Sequence, residues 1–337
     1  MSAPAADGAT AIVFPGMGPS TFDDLGRFLV LDRYARARVV QADEVLGESL
    51  LAGFRAERDG LGVLSQVAFL VCSLALADRA EAELDLRPDL AAGPCFGQRA
   101  LTAYAGALDL PAAIRLTVEL ARCEDEYFAA EPEELVTQCF VRVPDQPFAD
   151  AIAGYVDSGE WVEVSGRLDR GAYLVSLRSA LLDKMVETVR RLGGYTMQTL
   201  RPAVHARRFG PLRHRAEAVL SRYQIAAPSL PLVADQDGRL VRTADELRVM
   251  LLDTFDRTLD WPATVAALYG HGVRTVYVTG PDLMFHRLDC TTSSFRVVPV
   301  THKTVSKPGT LGRRLPGALS GRSERGQQSP AGVAANS

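Results

Sequence analysis

The chain has 337 residues, 47% of them hydrophobic and 23% charged, and its 37 Lys and Arg against 41 Asp and Glu give a formal net charge of −4. This apolar content excludes an intrinsically disordered chain, and the mildly acidic balance argues against a nucleic-acid-binding protein. The length suits one large or two smaller globular domains, and with no secretion signal in view we expect a cytoplasmic protein.

The first predicted elements are a buried strand and a long helix. Residues 10–14 (TAIVF) form a short apolar run that ends at a Pro-Gly turn, which indicates a strand. Residues 64–80 carry apolar side chains at helical spacing. The longest apolar run, residues 61–76, is interrupted by Ser65, Gln66 and Ser73, which keeps it below the roughly 18 consecutive apolar residues of a membrane span, so no membrane segment is predicted.

Residues 93–97 (GPCFG) follow a small-residue stretch and precede a helix-compatible segment. This order fits the G-x-nucleophile-x-G elbow, in which glycines permit a tight turn and the helix N-terminus lowers the pKa of a thiol at Cys95. The pentapeptide alone is a weak signal for catalysis, because buried cysteines are usually inert. The other four cysteines are scattered, so neither a disulfide framework nor a metal site is predicted.

Beyond the elbow, Asp109 is placed as the N-cap of a helix. A small α+β unit then begins near residue 136. Its predicted strands are residues 139–143, 161–166 and 172–177, with helices at 148–156 and 181–194. A later strand, TVYVTG, spans 275–280, and the Gly-, Pro- and Ser-rich segment 304–337 is predicted to be a disordered basic tail.

A nucleophile at Cys95 needs a base, and five histidines compete for that role. His205 is the best candidate because it lies between a predicted strand and a predicted helix, at a position that suits a domain edge. His286 remains a second candidate. The surroundings of the other three favour solvated positions: His214, His271 and His302.

Several ordered motifs resemble the malonyl-CoA:acyl-carrier-protein transacylase family. Residues 14–20 (FPGMGPS) resemble its FPGQGSQ opening, and GPCFG lies where that family has GHSxG. Further matches are Gln66 for a TQPA-type Gln, 106–108 for AGAL, 203–205 for AFHS, 234–238 for SNVDG, Trp261 for RW and 280–281 for the ELGPG turn. The resemblance covers about residues 10–300. It implies an α/β fold, with an α/β-hydrolase-like large domain (1–126 and 199–303) and an inserted ferredoxin-like small subdomain (127–198).

The resemblance also implies a mechanism. The nucleophile would be Cys95, the general base His205, and the oxyanion hole the main-chain N–H groups of Met17 and Phe96. Backbone carbonyls near the Gly280-Pro281 turn would orient the histidine. The reaction would be ping-pong, without a bound cofactor, and the phosphopantetheine of a carrier protein or CoA would be part of the substrate.

The departures from the family concern the acyl pocket. Leu120 stands where the family has its malonyl-binding Arg, and Leu cannot pair with a carboxylate. The family's Asn, Gln and pre-nucleophile His are replaced by Leu168, Met17 and Pro94. With Gln66, these residues predict a pocket for an acyl group without a free carboxylate. Relatives that lack the Arg include enzymes moving aminoacyl or dipeptidyl groups between carrier proteins in macrolactam polyketide assembly.

The change from Ser to Cys has two interpretations: thioester exchange through a thiolate, or a decayed site. The basic residues Arg207, Arg208, Arg213 and Arg99 predict docking of an acidic carrier protein. The alternative for the helical arginines is a solvated face balanced by Glu217.

We therefore expect a monomeric, trans-acting acyltransferase of a polyketide-type pathway. Its partner would be an acyl carrier protein or acyl-CoA. We expect it to bind neither nucleic acid nor a membrane. An editing hydrolase that clears acyl groups from carriers, and a catalytically inactive carrier-binding module, are the alternatives.

Overall fold

The computed structural model describes residues 8–305, which contain eleven strands and thirteen α-helices. The strands are β1 (Ala9–Val13), β2 (Leu90–Ala92), β3 (Leu135–Val141), β4 (Val162–Asp169), β5 (Ala172–Arg178), β6 (Tyr195–Leu200), β7 (Leu232–Val233), β8 (Leu240–Val241), β9 (Leu259–Asp260), β10 (Val273–Thr279) and β11 (Arg296–Val300). The helices are α1 (Phe22–Leu31), α2 (Arg33–Leu46), α3 (Leu50–Ala56), α4 (Val63–Leu84), α5 (Gly97–Tyr104), α6 (Leu110–Ala129), α7 (Asp145–Asp157), α8 (Leu182–Arg191), α9 (Gly210–Leu220), α10 (Ala244–Asp256), α11 (Trp261–Gly270), α12 (Asp289–Ser294) and α13 (His302–Val305).

The larger sheet has six strands in the order β11-β10-β1-β2-β7-β8. All neighbours are parallel except β7 and β8. The predicted first strand is confirmed as β1, whose residues Ala11, Ile12 and Val13 are buried because helices or loops cover both faces of a parallel sheet. The carboxyl ends of β1, β2 and β7 meet at one edge, which is where ligands bind in open α/β sheets.

Helix α4 is longer than predicted. By length and composition alone its 22 residues could cross a membrane, but 72% of its most apolar window is buried within the protein. It packs against α2, α3 and α6 and against β10. Helix α6 begins as predicted, because the Asp109 carboxylate accepts the Ala112 N–H at 2.7 Å.

The second sheet has the order β6-β3-β5-β4-β9, and its strands β3 to β6 pair antiparallel. The chain order β3-α7-β4-β5-α8-β6 with this strand order is a ferredoxin-like arrangement. Phe140, Phe148 and Met185 belong to the apolar cluster between its helices and the sheet. The predicted subdomain limits, residues 127 and 198, fall in the last turn of α6 and within β6. Strand β9, which comes later in the chain than the other strands of this sheet, extends the sheet by pairing parallel with β4.

The predicted basic tail lies outside the described residues, apart from its first two positions. Residues 304 and 305 belong to α13.

Candidate active site

Residues 93–97 form a sharp turn between β2 and α5. Cys95 has a positive φ of 55°, which is strained for a non-glycine residue. A Cβ on Gly97 would lie 2.1 Å from the Phe14 carbonyl oxygen, and one on Gly93 would lie 2.6 Å from the Gly97 carbonyl oxygen. Both glycines are therefore required by close backbone approach, as in a nucleophile elbow.

The Cys95 thiol is held in its neutral form. Burial, with the charge of Asp235 adding to it, raises the pKa of Cys95 to about 12, whereas the Phe96 N–H lowers it. This contradicts the expectation that the helix N-terminus makes the thiol acidic, because desolvation outweighs the effect of the N-terminus of α5 at this site. Cys95 consequently needs a base to become a nucleophile.

His205 lines the same cavity as Cys95. It is 2% exposed, and its Nδ1 lies 2.5 Å from the Thr254 carbonyl oxygen at the end of α10. A proton on Nδ1 leaves the lone pair on Nε2, which has no hydrogen-bond partner within residues 8–305. The prediction of an orienting carbonyl is correct in kind, but the carbonyl comes from α10 and not from the Gly280-Pro281 turn.

The small sheet fixes the backbone next to His205. The Val204 N–H donates to Thr137 Oγ1 at 3.0 Å, and Ser176 Oγ donates to the Val204 carbonyl at 2.9 Å. Thr137 and Ser176 lie on β3 and β5 and contact each other. The histidine thus depends on both sheets, although its side chain is anchored to the larger part of the chain.

The burial of His205 predicts the pH dependence of any reaction in which this histidine acts as the general base. Desolvation lowers the pKa of His205 below its usual value near 6.5, although Asp235, the Thr254 carbonyl and Glu124 oppose the shift. Because a general base acts in its neutral form, activity should be complete at pH 7 and be lost only as the pH falls through this lowered pKa. We expect the acid limb of the kcat/KM profile to have its midpoint below 6.5. A midpoint at or above 6.5 would contradict this assignment.

One cavity brings most of the predicted site residues together. Cys95, His205, Met17, Phe96, Gln66 and Leu120 all line it. The remaining walls are mainly apolar, from residues Leu61, Leu116, Phe128, Phe209, Leu212, Leu220, Leu251 and Phe255. The described residues contain no cluster of three or more His, Cys, Asp or Glu side chains that could hold a metal ion.

Two predicted pocket residues do not reach this cavity. Leu168 is fully buried in the apolar cluster that contains Trp261 and Phe285. Pro94 is buried within the elbow, where its carbonyl accepts the Gly97 N–H at 2.9 Å. Both assignments are corrected: these residues support the site and do not face the acyl group.

The predicted oxyanion donors are placed at the cavity. The Phe96 N–H faces the Cys95 sulfur, and the Met17 N–H is engaged by no protein acceptor among residues 8–305. Their part in stabilising an oxyanion stays a prediction.

The predicted docking arginines differ in accessibility. Arg99 is a pocket residue and not a surface residue, because its guanidinium pairs with Glu124 at 2.9 Å and its side chain is 11% exposed. Arg208 pairs with Glu131, and Arg213 pairs with Asp253 and Asp256. Of the four, Arg207 alone is exposed, so the docking prediction now rests mainly on it.

The Arg99–Glu124 pair is a feature that sequence reasoning missed. Arg99 also donates to Gln66 Oε1 at 2.8 Å and to the Thr117 carbonyl at 3.3 Å, and its guanidinium lies 4.8 Å from the centre of the Phe96 ring. Burial raises the pKa of Glu124, and Arg99 opposes this shift. The wall of the cavity therefore contains one cation, Arg99, and one acid, Glu124, which are paired with each other.

Comparisons with known proteins agree with this architecture. Residues 139–200 match the family model described as the VinK acyltransferase small domain. The malonyl CoA-acyl carrier protein transacylase of Escherichia coli K12 is 22% identical over 277 residues, covering 80% of this chain and 88% of the relative.

Among solved structures, the malonyl-transacylase in a complex with a type II polyketide synthase acyl-carrier protein superposes with a TM-score of 0.76 at 20% identity, covering 86% of this chain and 95% of that one. The acyltransferase domain from the second module of the salinomycin polyketide synthase gives 0.72 at 22% identity, covering 88% and 69%. The predicted α/β fold with large and small subdomains is confirmed, and so is the resemblance to the transacylase family.

Proposed function

We propose that this homologue of the malonyl-CoA:acyl-carrier-protein transacylases is an acyltransferase that moves an acyl group between pantetheine thioesters through an acyl-Cys95 intermediate. The observation that carries the proposal is that the strained elbow cysteine and His205, whose Nε2 has no partner among the described residues, line the same cavity. The names of the similar proteins, which include a complex with an acyl-carrier protein, support a carrier protein as the partner.

The chemistry follows from the resting states of the two groups. His205 Nε2 accepts the Cys95 proton as the sulfur attacks the thioester carbonyl, because the thiol does not ionise by itself near neutral pH. The tetrahedral oxyanion is bound by the N–H groups of Met17 and Phe96. Collapse breaks the carbon–sulfur bond of the donor, and the pantetheine sulfur leaves with the proton from His205. A second pantetheine thiol reverses these steps and carries the acyl group away.

The acyl group is one without a free carboxylate. Leu120 is apolar and 4% exposed, and the guanidinium of Arg99 is already paired with Glu124. A malonyl carboxylate in this cavity would meet Glu124 without an available cation, and burying an unpaired charge is strongly unfavourable.

A positively charged acyl group suits the part of the cavity wall that contains Glu124. Glu124 binds Arg99 through Oε1, whereas Oε2 has no hydrogen-bond partner among the described residues. An ammonium group can pair with that second oxygen, which favours an aminoacyl or peptidyl substrate with a free amino group.

Replacing Glu124 tests this specificity. We expect Glu124→Gln to slow acylation of Cys95 by an aminoacyl carrier about 10–100-fold, since a hydrogen bond to a charged group is lost. The same change frees Arg99, so acylation by malonyl should rise. The measurement is the ratio of the two acylation rates in rapid-quench mass spectrometry. Glu119→Gln is the matched control, because Glu119 lies on the same helix and pairs with Arg222 outside the cavity. An unchanged ratio in Glu124→Gln would rule out recognition by this carboxylate.

The fate of the acyl-enzyme separates transfer from its alternatives. After acylation and removal of the donor, a transferase keeps the acyl group until a second holo carrier protein is added. An editing hydrolase loses it to water at the same rate with or without acceptor. A binding module never forms the adduct.

A further inference from the structure

Asp235 is a buried acid that the transfer steps described above do not use. It follows β7, and because β7 is the sheet neighbour of β2, its carboxylate lies beside the elbow. Oδ2 accepts the Cys95 N–H at 2.7 Å, and Oδ1 accepts Gln98 Nε2 at 2.5 Å. Asp235 is 1% exposed. Its own backbone is fixed, since its carbonyl accepts the Asp260 N–H at 2.7 Å.

The carboxylate form explains these contacts. Each oxygen accepts one N–H donor, as an ionised carboxylate does and a protonated one does only in part. Burial raises the pKa of Asp235, and the Cys95 N–H, His205 and Gln98 oppose that shift. The charged groups that act on Cys95 are Asp235, Glu124 and Arg99, and those that act on His205 are Asp235 and Glu124.

We propose that Asp235 is a positioning residue for acyl transfer, which clamps the elbow through the Cys95 N–H and keeps the Cys95 sulfur protonated until His205 accepts the proton. The negative charge disfavours a free thiolate and favours the imidazolium, so ionisation is confined to the proton transfer within the cavity. The clamp also occupies the Cys95 N–H, which leaves Phe96 and Met17 as the oxyanion donors. This inference rests on the proposed function, because a positioning role presupposes acyl transfer. Its test, however, needs no acyl donor.

The structure offers a nearly isosteric variant. In Asp235→Asn the amide oxygen can still accept the Cys95 N–H, and the amide N–H can donate to Gln98 Oε1, which is buried without a partner. The family motif that residues 234–238 resemble has Asn at this position. The variant therefore removes the charge and reverses the hydrogen bond to Gln98, whose amide turns over, and it keeps the contact with Cys95.

The readout is the pH dependence of Cys95 alkylation by iodoacetamide, followed by peptide mass spectrometry so that Cys123 and Cys290 are scored separately. The thiolate is the reactive species, so the midpoint reports ionisation at Cys95. We expect Asp235→Asn to lower the midpoint by about one unit, which is about tenfold faster alkylation at pH 7.5. The acid limb of acyl transfer should move to lower pH in the same variant, because His205 loses the negative charge that most strongly raises its pKa.

Asp237→Asn is the matched control. It removes the same charge two residues away, where the carboxylate pairs with Arg239 and Arg257, and it should leave the Cys95 midpoint unchanged. A midpoint in Asp235→Asn equal to that of wild type and of Asp237→Asn would overturn the proposal, even if transfer were slower. A failed acylation experiment with a shifted alkylation midpoint would instead overturn the proposed function alone.

Gln98→Met keeps the proposal testable if Asp235→Asn does not fold. This variant retains the charge and removes one of its two donors, so the midpoint should stay at or above the wild-type value. A lower midpoint would contradict the role of the carboxylate.

Discussion

Cys95→Ala is expected to slow acyl transfer between carrier proteins by about 10³–10⁶-fold, the loss that follows removal of a nucleophile from an active site. The sulfur supplies the only covalent attachment in the proposed reaction, so no acyl-enzyme can form without it. The methyl group of Ala leaves the turn and both glycine contacts in place, and the variant should remain folded. Transfer is measured by mass spectrometry of donor and acceptor carriers.

Cys123→Ala is the control for this experiment. Cys123 is partly exposed on α6 and does not line the cavity, so its loss should leave transfer unchanged. Cys95→Ser extends the test, because a hydroxyl on the same elbow forms an ester in place of a thioester. Equal turnover in Cys95→Ala and wild type would eliminate the covalent mechanism.

His205→Asn is expected to slow transfer about 10²–10⁴-fold, the usual contribution of a general base. Asn suits the site structurally, because its side-chain N–H can still donate to the Thr254 carbonyl and because Asn tolerates the positive φ of 56° found at His205. It lacks an equivalent of Nε2, so proton transfer from Cys95 is lost. The acid limb of the pH profile should disappear with the activity.

His286→Asn is the matched comparison, since His286 was the second candidate in the sequence. Its Nδ1 lies 2.7 Å from Asp282 and it does not line the cavity, so this variant should transfer acyl groups at nearly the wild-type rate. A larger loss in His286→Asn than in His205→Asn would reverse the assignment of the base.

The elbow was predictable because its tight turn requires particular residue types, which the sequence shows directly. Gly93 and Gly97 have to lack a side chain, and Cys95 between them has to face the cavity. The fold class followed from the resemblance to the transacylase family, whose motifs occur here in the same order. By contrast, strand β6 was predicted only as a strand of unstated bounds before His205, because Tyr195 and Met197 are exposed on this edge strand and it shows no clear apolar alternation.

The acyl pocket was only partly predictable, because strand register and helix packing decide which side chains face it. Strand β4 shifts register twice, between Val164 and Gly166 and between Arg167 and Asp169. Each irregularity changes which face the next residue occupies, so the orientation of Leu168 could not be read from a motif. The orienting carbonyl of Thr254 carries no sequence signal, since every residue has one. The proximity of Glu124 and Asp235 to Cys95 could be recognised only in the structure, where the helix and the loop that carry them lie beside the elbow.

The central claim is that Cys95 carries a non-malonyl acyl group. Intact mass of the wild-type protein after brief exposure to aminoacyl-loaded and malonyl-loaded carrier proteins tests it most directly, with Cys95→Ala beside it. We predict an adduct of the aminoacyl mass that is absent in Cys95→Ala and absent with malonyl. A malonyl adduct on Cys95, or an aminoacyl adduct that persists in Cys95→Ala, would contradict the account.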